Sequence, residues 1–442
     1  MVLRGTHLRY EPALNDRISM KKDRFHLAFD SVLLVNAGVI TGFLYMLVHP
    51  ILGRLMSGID YADFAQLLKL LFVIGVPASA LRVAMARYVS EYHHADAVDV
   101  WTTVVRRALR RISFWALAGL VLWIALSPWI RSALDASSTS SVVILGFIGL
   151  ISVYGPIVHG TLQGSRYFGW YSASTICGAG TRVLFCAAAA LVVGNVPSLM
   201  VAMAMSMLCG FLLGAYPFRK VLAETTPIPD FDTGPIYRYL WPVLAGHAAV
   251  YLLVSLDMIF AKRFLVEEQY VVYQKVAILS QIVIFMSQPI ATAVFPRVVR
   301  STKLSLLVGP MTIAALISTL GAMALTLFSG LAMHLVYGVK DPVYAAMMQR
   351  YVWAALPFSM VLYIPQYLWA RHHTRSVLWV IIPLIAYLVA IGYHHATAEQ
   401  MITSLAFGAW FSLIVLVAAV LVTRNRETKK TSNDEQTKSP PP

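Results

Sequence analysis

The chain reads as an all-α polytopic membrane protein of about twelve transmembrane helices in two six-helix bundles, related as a parallel internal repeat. Three observations predict this. Of 442 residues, 58% are hydrophobic and only 13% charged, with a mean hydropathy of +0.69; a soluble domain carries about 25% charged residues. Apolar runs of about 20 residues, the length a bilayer requires, recur along the chain. Finally, the stretch from Pro242 to Pro296 echoes an earlier one at a constant offset, so that Arg54 falls on Arg263, Tyr61 on Tyr270 and Phe64 on Tyr273. The spans divide into two sets of six. Six is even, so both halves start on the same side of the membrane, and a binding site is expected between them.

Residues 1–24 are polar and basic, and the apolar run that follows is too long for a cleavable signal. Met20-Lys21-Lys22 resembles a translation start, so residues 1–19 are expected to be dispensable. The N-terminal bundle, residues 25–222, holds spans at about 25–48, 64–86, 113–130, 141–162, 170–193 and 198–217. Residues 223–236 include three prolines and one glycine, which suits a linker. The C-terminal bundle, residues 237–423, holds spans at about 237–258, 270–291, 304–328, 346–369, 376–393 and 401–423. The second and eighth spans carry the most polar residues. The tail, residues 424–442, is charged and ends in prolines, the composition of a disordered segment.

The formal net charge is +14. In a soluble protein this would suggest nucleic acid; here the basic residues sit in short loops and report topology. With the N-terminus in the cytoplasm, about 25 Lys and Arg lie in cytoplasmic segments against about 5 in external loops, so both termini face the cytoplasm. Cys177, Cys186 and Cys209 lie in apolar runs, and no disulfide or metal cluster is expected. The sequence has no GxxxxGK phosphate loop and no HExxH. The external loops are short, unlike those of membrane glycosyltransferases and polymerases. A transporter, without catalytic residues or cofactor, is the remaining large class.

The stretch Leu52–Tyr92, LGRLMSGIDYADFAQLLKLLFVIGVPASALRVAMARYVSEY, resembles the first hairpin of the polysaccharide transporters. These are the bacterial flippases for lipid-linked oligosaccharides, in the multidrug/oligosaccharidyl-lipid/polysaccharide (MOP) superfamily that also holds the multidrug MATE exporters and the lipid II flippase. His159–Phe185 looks like the family's fourth loop and fifth span, including the in-span arginine, here Arg182. Pro242, Asp257, Tyr273, Pro289 and Phe295-Pro296 also fall on the family pattern. The glycine usual after the tyrosine of the first hairpin is here Ala62, and its second-half counterpart is Val271, which questions close helix approach there. The resemblance covers the first 300 residues or so. It implies a V-shaped, MATE-like pair of bundles with a central cavity open alternately to the two faces. It also implies a bacterial inner-membrane flippase that moves an undecaprenyl-pyrophosphate-linked oligosaccharide outward for O-antigen, capsule or exopolysaccharide synthesis. Membrane lipid, a polysaccharide polymerase and glycosyltransferases are the implied partners, and a monomer is the expected state. The rivals are a MATE-type cation or drug antiporter and a non-transporting partner of a polysaccharide synthase.

An anionic head cannot cross hydrocarbon unaided, because an ion at the bilayer centre costs about 3 kcal/mol or more. Cations for phosphate and polar groups for sugar are therefore the residues to seek. Arg182 lies near the middle of the fifth span, on one face with Thr175 and Gly178, and a guanidinium can grip phosphate through two parallel hydrogen bonds. Its alternative is a structural pairing. Lys69 and Lys275, near the starts of the second and eighth spans, face either a cavity or the outer interface by snorkelling. Gln274, Gln281 and Gln288 repeat every seven residues as one polar stripe, suited to sugar contact or to interhelical hydrogen bonds. Arg350 is a further candidate near the outer end of the tenth span. Arg82 reads as a snorkelling residue, and His159 and His247 as packing residues. Asp30 and Asp257 are the candidates for proton or sodium coupling, against an interfacial helix start for Asp30 and a local salt bridge to Lys262-Arg263 for Asp257. The in-span cations outnumber the in-span acids, which favours an anionic cargo over an organic cation.

Overall fold

The computed structural model describes residues 33, 36–38, 40–94, 97–226, 228, 234–285, 305–370 and 374–436. Asp30, Gln288, residues 1–24, part of the linker and residues 437–442 lie outside the described residues.

The described residues form helices and no strand. In the first half, α1 (Asn36–Leu55), α2 (Gly58–His94), α3 (Val98–Leu134), α4 (Thr139–Gly164), α5 (Phe168–Val192) and α6 (Val196–Ala215) precede the short α7 (Phe218–Glu224). The second half is more broken. It runs through α8 (Gly234–Leu253), α9 (Leu256–Phe264), α10 (Glu267–Ser280), α11 (Ile282–Phe285), α12 (Ser305–Leu327) and α13 (Ser329–Tyr337). It continues with α14 (Pro342–Ala355), α15 (Phe358–Ala370), a 3-10 turn at Thr374–Val380, α16 (Ile381–Tyr393) and α17 (Ala398–Gln436). Helix α17 thus continues beyond Arg424, where the sequence places the tail; no Gly or Pro lies between Arg424 and Gln436.

Among the described residues, seven helices are long and apolar enough to cross a membrane, and two bent pairs raise that to nine. The pairs are α8–α9, bent by 46°, and α12–α13, bent by 82°. The other predicted spans fall on the polar α2, on α10–α11, and on α14–α15, which breaks ahead of Phe358. The chain is a multi-pass membrane protein.

Turns on one face are capped locally. Asn195 Oδ1 accepts from Ser198 N at 3.0 Å, and Asp341 Oδ1 accepts from Val343 N at 2.9 Å. Gly338 ends α13 in a left-handed conformation, φ +71°. Within the first half, α5 packs on α6 and α2 on α4. The α2–α4 contact is close because α4 presents Gly160, where a Cβ would lie 2.5 Å from the backbone oxygen of Arg82.

The halves meet along α2, which packs against α8, α9 and α10. On the capped-turn face, which the charge census assigns to the exterior, contacts between the halves form a seal. Asp63 and Lys262 form an ion pair at 2.6 Å, and Tyr270 Oη donates to Asp63 Oδ1 at 3.1 Å. The hydroxyls of Tyr61 and Tyr337 lie 3.0 Å apart. Gln66 Nε2 donates to Leu134 O at 3.0 Å and across the seam to Ile259 O at 2.7 Å. The close approach questioned at Ala62 and Val271 is supplied by a different glycine: Gly58 faces Val271, with a Cβ there only 2.9 Å from Val271 Cγ1.

Candidate functional site

A cavity of about 810 Å³ lies between the halves, within the range of roughly 300–1,000 Å³ common for small-molecule sites. Its walls are mostly apolar, from Met46, Met203, Met207, Phe72, Phe285 and Ile282 among others. Three predicted site residues converge on it: Lys69 from α2, Arg182 from α5, and Gln281. On α2, Ala65, Lys69 and Phe72 share a face at helical spacing, which turns the ammonium inward rather than to the outer interface. Gln281 caps α10 at its break with α11, and its side chain meets the other half.

Lys69 Nζ donates to Gln281 Oε1 across the seam. It also lies 5.4 Å from the ring centre of Phe72 and 5.9 Å from that of Phe285. The Arg182 guanidinium stacks 4.4 Å over the ring of Tyr45, and its buried Nε has no hydrogen-bond partner among the described residues. No carboxylate lines the cavity among the described residues. Two cations thus face a low-dielectric space with aromatic and amide partners and no carboxylate in the cavity wall; the carboxylate whose charge reaches Lys69 is Asp257, buried in the second half. This arrangement suits a planar or tetrahedral anion, for which Arg offers paired N–H donors and Lys a point charge.

The other predicted residues lie elsewhere. Gln274 is buried within the second half, donating to Met258 O at 2.7 Å. Lys275 is buried beside the seal, its Nζ 5.6 Å from the Tyr337 ring centre, and does not line the cavity. Arg350 is exposed and paired with Glu399. Asp257 is fully buried in the first turn of α9, just past the α8–α9 break. It accepts from Tyr273 Oη at 2.9 Å and Tyr351 Oη at 2.7 Å. The local salt bridge expected of it is absent, because Lys262 pairs with Asp63 instead. Arg82 turns toward Tyr171 Oη at 3.4 Å, where the sequence suggested snorkelling. His159 packs as expected, with Nε2 3.0 Å from Ser174 Oγ.

Sequence reasoning missed His49 and Tyr45, both in the cavity wall, and Asp63 and Gln66 in the seal. Gln66 carried a signal, since the internal echo places it opposite Lys275.

No family model and no curated protein matches the sequence. Solved structures do match. An inward-facing multidrug MATE-family transporter of the MOP superfamily superposes with a TM-score of 0.70 at 15% identity, covering 88% of this chain and 96% of that one. The fold is that of the MOP-superfamily transporters. The lipid II flippase MurJ, in an inward closed conformation, matches this MOP fold with a TM-score of 0.69 at 12% identity, over 88% of this chain and 87% of that one. A MOP-superfamily transporter from Pyrococcus furiosus, described as having a binding pocket of reversed polarity, gives 0.60 at 14% identity over 90% and 94%. The all-α, two-bundle, MATE-like architecture predicted from the sequence is the one observed. The solved neighbours include drug transporters and a lipid flippase.

Proposed function

We propose that the chain is a bacterial inner-membrane flippase for a lipid-linked oligosaccharide anchored through pyrophosphate. The observation that carries this reading is the sign of the cavity: among the described residues its charged side chains are Lys69 and Arg182, with no carboxylate. The polyprenyl tail stays in lipid while the anionic head and its sugars pass through the cavity. Arg182 and Lys69 hold the phosphates, and Gln281 offers its amide to the phosphate or the first sugar. No bond is made or broken. The cargo moves as the cavity opens alternately to the two faces, from the cytoplasmic to the outer leaflet, with both termini cytoplasmic. Asp257, buried at a helix break in the second half, is the carboxylate for proton or sodium coupling. A polymerase and glycosyltransferases would act before and after it on the same lipid-linked sugar, and the transporter itself works as a monomer.

The second reading is a MATE-type antiporter, favoured by the apolar cavity walls and by the multidrug transporter among the solved neighbours. Cells lacking their own sugar-lipid flippase separate the two. Restored surface polysaccharide without ethidium efflux supports the flippase; efflux without restoration supports the antiporter.

A further inference from the structure

His49 lines the cavity with Lys69 and Arg182. Its Nδ1 lies 3.0 Å from the hydroxyl of Tyr61, and that hydroxyl lies 3.0 Å from the hydroxyl of Tyr337 in the other half. Three neutral groups therefore run in series from the cavity wall to the sealed face. Tyr61 is fully buried and Tyr337 nearly so. Tyr337 is fixed against Gly53, where a Cβ would lie 2.3 Å from its ring, and the Lys275 ammonium lies 5.6 Å from the centre of that ring. His49 Nε2 has no partner among the described residues.

Each hydroxyl has one proton to donate, and a neutral imidazole has one N–H. The chain can thus point in only two directions. In one, Tyr337 donates to Tyr61, Tyr61 donates to His49 Nδ1, and the imidazole presents Nε2–H to the cavity. In the other, Nδ1–H donates to Tyr61, Tyr61 donates to Tyr337, and Nε2 presents a lone pair. An anionic oxygen accepts and never donates, so it selects the first direction. It also polarises every bond behind it.

We propose that His49 is a third binding residue for the cargo's anionic head, donating Nε2–H to it, and that the Tyr61–Tyr337 pair transmits cavity occupancy to the seal. The inference rests on the reading of the cavity as a site for a pyrophosphate-bearing lipid. It adds a residue to that site and gives a physical route by which a filled cavity orients the bond that joins the halves. It also gives Lys275 a place in the device: a cation over the Tyr337 ring draws electron density from the phenol and makes it the better donor.

The test uses the full chain in lipid nanodiscs with farnesyl pyrophosphate as the probe anion. Titration calorimetry compares wild type with Arg182→Gln, His49→Phe and Tyr61→Phe, and 15N-histidine spectra of the wild type follow the His49 tautomer. Loss of one charge-assisted hydrogen bond should weaken binding about tenfold for His49→Phe and about threefold for Tyr61→Phe, where only the polarising partner is removed. The wild-type spectrum should shift to the Nε2–H tautomer on saturation. Wild-type affinity in His49→Phe, alongside weakened binding in Arg182→Gln, overturns the inference and leaves the flippase reading standing. No probe binding by the wild type, or unchanged binding in Arg182→Gln, overturns both. Should His49→Phe fail to fold, the wild-type spectrum decides alone: an unchanged tautomer at saturation overturns the proposal.

Discussion

Arg54 and Arg263 hold the two halves together by the same contact made in opposite directions. Arg54, in the first half, donates to His334 O at 3.4 Å and to Leu335 O in the last turn of α13. Arg263, its echo in the second half, donates to Ser132 O at 3.3 Å in the last turn of α3. Each arginine thus caps the carbonyl end of the third span of the opposite half, where a cation is favoured. The quasi-symmetric pairing gives the internal repeat a structural role in closing one face.

Both arginines are exposed, so each contact is worth only about 0.5 kcal/mol. Single changes to Ala are expected to leave the seal closed, and the Arg54→Ala/Arg263→Ala pair to loosen it. Electron–electron resonance distances between spin labels at Ser137→Cys and Glu267→Cys check this. A longer, broader distribution is expected in the double variant alone.

The Asp63–Lys262 pair should behave differently, because Asp63 is buried, at 3% side-chain exposure, and Lys262 nearly so, at 15%. Removing one partner leaves the other charge stranded. Asp63→Leu is expected to cost about 3 kcal/mol, whereas Asp63→Leu with Lys262→Met should recover most of the loss. Thermal unfolding in detergent gives the comparison as a double-mutant cycle. Equal losses in the single and double variants would show that the pair has little part in the seal.

This contrast also shows what the sequence made legible. Charges inside apolar runs announce themselves because a bilayer penalises them, and Lys69 and Arg182 were found that way. Gln281 was found because a polar stripe on a span is unusual, although only Gln281 of the described stripe reaches the cavity. The choice of partner was not legible. Lys262 lies in sequence beside Asp257 but pairs with Asp63, 199 residues away, because the packing of α2 on α9 brings them together. His49 gave no periodic signal: one histidine beside Pro50 looks like the end of a span until Tyr61 and the cavity are placed around it.

Gly160 is a test of the first half's packing. A Cβ there meets the Arg82 carbonyl and Met85, whereas one on Gly169 meets nothing within 4 Å. Gly160→Ala should therefore lower stability by about 1–3 kcal/mol, and Gly169→Ala should not. Melting temperatures of the two variants in one detergent decide the matter; equal values would contradict the close α2–α4 approach.

Asp257 tests the coupling proposal. Asn fits the same space and can still accept from Tyr273 and Tyr351, but it cannot gain or lose a proton or balance a cation. Asp257→Asn should bind cargo normally, and its transport should lose dependence on an imposed proton or sodium gradient. Gradient dependence equal to that of wild type would remove Asp257 from the coupling role.

The most direct measurement is flipping in sealed proteoliposomes of a fluorescent undecaprenyl-pyrophosphate-linked oligosaccharide, scored by accessibility to an external quencher. Wild-type protein should move the lipid between leaflets, and Arg182→Gln with Lys69→Gln should slow that movement at least tenfold, as expected for the loss of two charge-assisted contacts. A rate in the double variant equal to wild type would contradict the claim that these two cations carry the head across.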